Sequence, residues 1–365
     1  MELLKIIKSG ELYKLRKYRI KRSFLRDYKK NKLHPIQTFL IHRRGFTVGD
    51  WNIMKVNKNN YKSYLSSKQY SSIHPINGFY SKMIDDKMAV KYIVNGTELA
   101  KCMPDYYYTI DEEGNLYPLM DATSESAIFK DVLELLKQKG KLAIKLVDGA
   151  IGKGFYKATF DGNVIYVNEK SMTEKQFVSF LRGCRHYIIS EYLRPHPDMA
   201  KFWPDTTNTM RYLVGKVGRE WRMIKCFVRF GSKKTGVVEN FNRGGVLCYV
   251  NNDGYFNNGY VLTQKGKKSS SQTISIHPDT KQKLEGRIPC WDQVLKAVSE
   301  FEKLMPQAKY LGFDFVITAD NQVKILEINS LTSLDSIQMD GSILETENGR
   351  WFFSSFPSIA KSLND

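Results

Sequence analysis

The sequence predicts an α+β protein whose framework is antiparallel strands, and three observations lead there. Apolar runs of strand length flank the turn dipeptides Asp161-Gly162 and Asp320-Asn321, the pattern of β-hairpins. Segments 124–139 and 291–304 repeat apolar residues at helical spacing, which marks amphipathic helices. The glycine-rich stretch at 149–154 leads into a strand pattern, so it is neither a Walker loop nor a dinucleotide fingerprint, each of which opens a helix. At 365 residues the chain can bury a large core divided over two or three domains.

Residues 1–34 hold twelve Lys or Arg against three acids, interleaved with apolar residues such as Ile6, Leu15, Phe24 and Leu25. This reads as a basic, partly amphipathic helix. Contact with anionic lipid headgroups, contact with nucleic acid and a plain solvated charged face all stay open. No specific nucleic-acid motif lifts the second. The net charge of +18 suits acidic partners in general. Five scattered cysteines with no CxxC pair speak against zinc and a disulfide framework and fit a reducing cytoplasm. No apolar run approaches the roughly 18 residues of a membrane span. The first ten residues lack an apolar signal region, so a cytoplasmic protein is expected, peripheral at the inner membrane face if the basic helix binds lipid.

Residues 35–85, rich in Tyr, Ser and Asn, read as an irregular part of an N-terminal domain. Asp85-Asp86-Lys87 opens a helix stopped by Gly96, and 105–110 reads as a strand. Residues 124–139 read as a helix with Ser124 as N-cap and Gly140 as its end. Residues 141–147 alternate, so Lys145 projects from one strand face while Leu142, Ile144 and Leu146 fill the other. Gly149, Gly152 and Gly154 then form a simple turn, the commoner role of a lone glycine loop, or offer bare backbone N–H groups to phosphate oxygens. A helix at 173–182 leads to strands at 186–193, 209–217 and 220–230. Residues 264–272 read as a flexible basic loop. The segments expected are 1–34, 35–120, 121–195 and 196–365.

Residues 312–329, GFDFVITADNQVKILEIN, concentrate the chemistry. With Asp320-Asn321 at the turn centre, Asp314 and Glu327 oppose each other, their Cβ atoms roughly 5 Å apart. Asn329, two residues further on, shares their face. Two carboxylates and an amide on an oily hairpin are costly to bury alone. A hard divalent cation carrying nucleotide phosphates would be a suitable partner. Polar residues on a solvated hairpin face are the equal alternative.

Taken in order, the DK helix, IKLVDGAIGKGF, EYL, NTMR, the VENFNRGG stretch and GFDF…LEIN resemble the ATP-grasp superfamily over roughly residues 85–330. The NTMR…VRFG…VENFNRGG series resembles one branch in particular, the sugar-transfer-associated ATP-grasp proteins of bacterial polysaccharide loci. After Asn329, SLTSLDS lacks the proline that many ATP-grasp enzymes place there.

The resemblance implies an ATP-grasp fold, with the nucleotide held between a glycine-flap subdomain and a C-terminal mixed-sheet domain. By resemblance, Lys145 contacts α- and β-phosphate oxygens. Gly149, Gly152, Lys153 and Gly154 form the flap, and Glu191, Tyr192 and Leu193 form the hinge that reads adenine. Lys87 is a weaker phosphate candidate, more simply read as a surface helix lysine. Asp314, Glu327 and Asn329 match Mg²⁺ ligands, with two ions expected; Arg211 and Arg229 would stabilise the transferred phosphoryl group and an acyl-phosphate intermediate, or either is instead a structural salt bridge. Asn240 and Arg243 would line the cleft. The implied activity is an ATP-dependent carboxylate–amine ligase acting through an acyl phosphate. Its substrates would be an acidic glycan or sugar-linked carboxylate and an amine, in capsule or O-antigen synthesis. A kinase of a hydroxyl acceptor and a non-catalytic ATP-binding scaffold are the alternatives.

Overall fold

Alternation and turn chemistry sort the strands into two seven-stranded sheets. The computed structural model describes residues 12–31, 34–122, 124–125, 127–147, 154–236, 239, 241–265 and 268–364. The first sheet holds β1 (Tyr106–Ile110), β2 (Leu116–Pro118), β3 (Lys141–Leu146), β4 (Tyr156–Phe160), β5 (Ile165–Val167), β6 (Lys170–Met172) and β7 (Tyr187–Glu191). Its spatial order is β2-β1-β7-β3-β4-β5-β6. Further along come β8 (Met210–Val217), β9 (Glu220–Phe230), β10 (Val246–Tyr249), β11 (Tyr255–Asn257), β12 (Gly259–Lys265), β13 (Lys268–Ile274), β14 (Glu285–Arg287), β15 (Tyr310–Ile317) and β16 (Val323–Asn329). The second sheet runs β13-β12-β10-β9-β8-β15-β16, while β11 and β14 pair separately. Every pairing in both sheets is antiparallel, the C-terminal one included. The first sheet takes two strands from before residue 121.

Each sheet buries apolar faces against helices. Helices Phe129–Lys139 and Glu174–Arg182 cover the first sheet through Val132, Leu136, Phe177 and Leu181. The latter starts with a reciprocal cap between Thr173 and Gln176. One face of the second sheet packs on helix Trp291–Leu304 through Trp291, Val294 and Phe301. Its other face carries a core that Leu213, Phe227 and Tyr310 share with residues 41–73 and with the C-terminal helices.

Residues 35–85 are largely helical, not irregular. After α1 (Leu12–Lys30) come α2 (Pro35–Arg43) and the short helices Val48–Ile53, Ser67–Ile73 and Ser81–Asp85. They span too few turns for a period to show in sequence. Their caps were readable: Thr47 accepts from the Asp50 N–H, and Ser66 and Gln69 cap each other.

Three other segments differ from expectation. The helix placed at 124–139 begins at Phe129, where the Asp131 carboxylate accepts the Ile128 N–H at 3.0 Å, so Asp131 takes the capping role expected of Ser124. The Asp161-Gly162 turn runs over four residues between Phe160 and Ile165, closed by Asp161 accepting two backbone N–H groups. Residues flanking 266–267 are not a loop: β12 and β13 pair from Gly259↔Ile274 to Lys265↔Lys268. On this edge hairpin Thr263 bonds across to Ser270, a polar cross-strand pair in strands that look loop-like in sequence.

Gly215 fixes how closely the C-terminal helices approach the second sheet. A Cβ there would lie 2.5 Å from the ring of Phe352, itself fully buried and stacked on Tyr310. Gly215→Ala is therefore expected to destabilise by about 1–3 kcal/mol, as overpacked cores do. Chemical denaturation followed by intrinsic fluorescence measures it.

Candidate functional site

The polar face of the second sheet is assembled by register. Asp314 on β15 lies opposite Arg211 on β8 and Glu327 on β16, and Asn329 follows on the same face. The opposition of Asp314 and Glu327 matches the sequence reading, but not through a two-residue turn. Ile317 pairs with Val323, so the turn is one residue longer on one side, and a register shift between Asp314 and Phe315 restores the pairing. Asn321 sits in the left-handed region at φ 61°, as the third residue of such a turn requires.

Asp314 is the electrostatic centre. Its Oδ1 and Oδ2 accept from Arg211 Nε and Nη2 at 2.6 and 2.9 Å, a bidentate pair. Arg229 Nη2 stands 3.1 Å from the same Oδ1 and donates to Thr209 at 2.6 Å. Burial alone would raise the Asp314 pKa. The two guanidinium groups outweigh burial and hold the carboxyl below the usual carboxylate range. Gly312 makes room for this pair, since a Cβ there would lie 2.8 Å from Thr332 Oγ1 and 3.2 Å from Arg211. Thr332 in turn accepts from Arg211 Nη1 at 2.9 Å.

Glu327 pairs with the Lys87 ammonium at 3.0 Å. The Asn329 amide donates to Glu327 at 3.2 Å and reaches toward Asp314 at 3.5 Å. Lys145, on β3 of the other sheet, is buried with its ammonium 4.9 Å from the centre of the Tyr106 ring. Burial, then the charge of Lys87, push its pKa down to about 7, with Glu327 opposing. The two sheets thus contribute to one cluster: Lys87, Lys145, Arg211 and Arg229 against Asp314 and Glu327. Positive charge is in excess among these six side chains, and Arg229 Nε and the Tyr106 hydroxyl are buried with no partner among the described residues. Such orphaned donors are costly, and Arg229 Nε, part of a cation, suits an anionic ligand.

The link between the sheets runs alongside. Glu191 ends β7 and accepts the Asp105 N–H at 3.3 Å. Tyr192 follows, with Lys157 and Lys141 ammonium groups 5.3 and 5.9 Å from its ring centre, and burial pushes its phenol up to about 12. Leu193 is buried. Beyond it, His196 N–H donates to Ile317 at 2.8 Å and Ala319 N–H to Arg194 at 3.0 Å, which stitches the link to the turn end of β15.

Of the other expected residues, Gly154 lies just before β4 at φ +71°, where a Cβ would meet Leu146 at 2.6 Å. Gly149, Gly152, Lys153 and Asn240 lie outside the described residues. Arg243 is exposed in a short 3₁₀ turn. Lys87 is the main revision, because it is buried, not a surface lysine. Asp85 accepts the Ser330 N–H and hydroxyl at 2.7 Å each, and Asp86 caps the helix through the Met88 and Ala89 N–H groups. A lysine in a first helical turn opposes the macrodipole, and that was the available sign of a distant partner. The buried cysteines 184, 226 and 248 have thiol pKa values raised by burial, so they offer no thiolate nucleophile.

The donor chemistry accommodates a hard cation. Asp314 and Glu327 supply carboxylate oxygens on one face, and the Asn329 N–H₂ points at both, where positive charge is favoured. Turned over, the same amide offers its oxygen. Among the described residues no group of three or more His, Cys, Asp or Glu side chains is placed to hold a metal ion, so the set here rests on two carboxylates and an amide.

Comparison with known proteins gives a family match over residues 68–348, to a model described as sugar-transfer associated ATP-grasp. No curated protein matches. Among solved structures, the chain is similar to the ATP-grasp ligase PsnB complexed with a minimal precursor, at 12% identity and a TM-score of 0.38. That alignment covers 78% of this chain and 63% of the PsnB chain. D-alanyl-alanine synthetase A from Vibrio cholerae aligns at 11% identity and a TM-score of 0.41, over 82% of this chain and 68% of that one. N5-carboxyaminoimidazole synthetase from Staphylococcus aureus, complexed with ADP, aligns at 12% identity and 0.37, over 72% and 51%.

Proposed function

We propose that this chain, which belongs to the sugar-transfer associated ATP-grasp family, is an ATP- and Mg²⁺-dependent carboxylate–amine ligase. The observation that carries the reading is the cluster of four cationic side chains around two carboxylates, with the buried Arg229 Nε left unpartnered. Lys145 and Lys87 hold the phosphates as point charges, and Gly149, Gly152, Lys153 and Gly154 are assigned to the flap from the family resemblance of their sequence alone. Backbone groups of Glu191, Tyr192 and Leu193 hold the base. Asp314, Glu327 and Asn329 would hold the metal, which when bound would supply charge neutralisation at the phosphates.

Arg229 is partly exposed and holds Asp314 and Thr209 through Nη2 alone, which leaves its unpartnered Nε as the donor assigned to the γ-phosphoryl group. Arg211, locked on both sides, keeps Asp314 ionised and oriented. Transfer of the γ-phosphoryl group to a substrate carboxylate gives an acyl phosphate and ADP. An amine then attacks the acyl carbon, and phosphate leaves. The protein's share is positioning and charge stabilisation. The family description and the net charge of +18 favour an acidic, glycan-linked carboxylate of capsule or O-antigen synthesis, handled in the cytoplasm or at the inner membrane face.

The test is a mass-spectrometric screen of uronate and amino-acid pairs with Mg-ATP. A condensed product lighter than the pair by one water, with ADP released only when both are present, is expected. A phosphorylated hydroxyl acceptor formed without amine would overturn the ligase assignment in favour of a kinase.

A further inference from the structure

The hairpin of α1 and α2 presents a surface that the ATP site does not use. α2 packs inward through Thr38 and Ile41, both buried. On its outer side Ile36, Phe39 and Leu40 are 77%, 62% and 43% exposed. They follow at i, i+3 and i+4, so they form one stripe. A helix apolar on both sides is ordinarily buried on both, yet this one faces outward. α1 adds Leu25 and Tyr28, 51% and 44% exposed, the latter with its ring 6.5 Å from His42 of α2. Five large apolar side chains within sixteen residues make a patch, not scattered exposure.

The charge around the patch has one sign. Residues 12–44 contain twelve Lys or Arg and a single acid, Asp27. Asp27 is turned inward, 2.7 Å from His42 and accepting the Val48 N–H at 2.9 Å. Exposed Lys21, Arg22, Arg26, Lys29 and Lys30 therefore meet no exposed carboxylate on the described part of the hairpin. The hairpin is also anchored. Arg16 donates to the Ile73 and His74 carbonyls at 3.2 and 3.3 Å, which ties α1 to the body that bears the second sheet.

We infer that this hairpin docks on a bilayer surface carrying anionic headgroups, with Ile36, Phe39 and Leu40 sunk to the acyl boundary and the α1 cations on headgroup phosphates. An apolar stripe edged by Lys and Arg is the composition of interfacial helices. A second copy of the same face would bring like charges together. Nucleic acid would satisfy the cations and leave the aliphatic stripe in water. α1 is thus the cationic half of the surface, and α2 supplies the inserting half. The inference does not depend on the ATP chemistry.

Sedimentation of the full chain with vesicles tests it. Wild type is expected to bind phosphatidylcholine vesicles containing roughly one-third phosphatidylglycerol and not pure phosphatidylcholine. The exposed-site variant Ile36→Ser/Phe39→Ser/Leu40→Ser should bind about tenfold or more weakly, with nucleotide binding unchanged. Phe39→Trp should shift its emission to the blue when anionic vesicles are added. Equal binding by the triple variant, or no shift of Trp emission, would overturn insertion. Binding to heparin without binding to vesicles would assign a polyanion instead. A dimer that the triple variant converts to monomer, with no vesicle binding by either, would assign a second copy.

Discussion

Glu327→Ala is expected to lower Mg-dependent ATP turnover by about 10³-fold, roughly 4 kcal/mol of transition-state stabilisation, while the protein stays folded. The two carboxylates of the site differ in what their loss does to the fold. Asp314 is buried beneath Arg211 and Arg229, so removing it strands two guanidinium groups and costs about 3–5 kcal/mol of stability. Lost activity in that variant would say little about the metal. Glu327 is partly exposed and pairs with the buried Lys87, so its loss takes a partner from one ammonium group, where loss of Asp314 strands two guanidinium groups. ADP release by a coupled assay, with a thermal melt beside it, separates the two effects. Undiminished turnover with an unchanged melt would place the metal elsewhere.

The readable part of this site was the part set by parity. Which face Asp314, Glu327 and Asn329 share depends on strand alternation, and that survived an error in the turn because the longer turn and the register shift offset each other. Arg211 joined the face because β8 pairs with β15 in register, a neighbour relation that only the ordered set of family motifs hinted at. Lys87 was misread for the opposite reason. Its partner lies 240 residues away in sequence, and nothing near it in the chain records that contact. The helices of residues 35–85 were missed on length, since turns this short gain their stability from the core shared with the C-terminal helices and little from local propensity. Family and α+β class were legible because many weak local signals agreed. The order of strands and the packing of the N-terminal helices were not, because burial is decided by distant partners.

Lys145→Met is expected to move nucleotide binding and stability in opposite directions. In the free protein, burial and Lys87 bring the Lys145 pKa from 10.5 down to about 7. Between those two values the unfolded chain binds more protons than the folded one, so stability rises with pH across that window and is lowest below about 7. Methionine keeps the apolar stem without the charge, and the variant should therefore melt at a higher temperature than wild type near pH 7. The difference should close as pH approaches 10.5.

Nucleotide binding carries the other sign. Phosphates favour the charged ammonium, so binding above pH 7 takes up a proton, and wild-type affinity falls as pH rises through that value. The variant should bind ATP about tenfold or more weakly at neutral pH, each decade corresponding to 1.4 kcal/mol, and its affinity should lose that pH dependence. Calorimetric titration at pH 8 in two buffers of different ionisation enthalpy should show proton uptake by wild type and little by the variant. A variant that binds less while melting higher cannot owe its defect to misfolding. A charged lysine held buried at the cost of stability fits a site shaped for the phosphates that neutralise it.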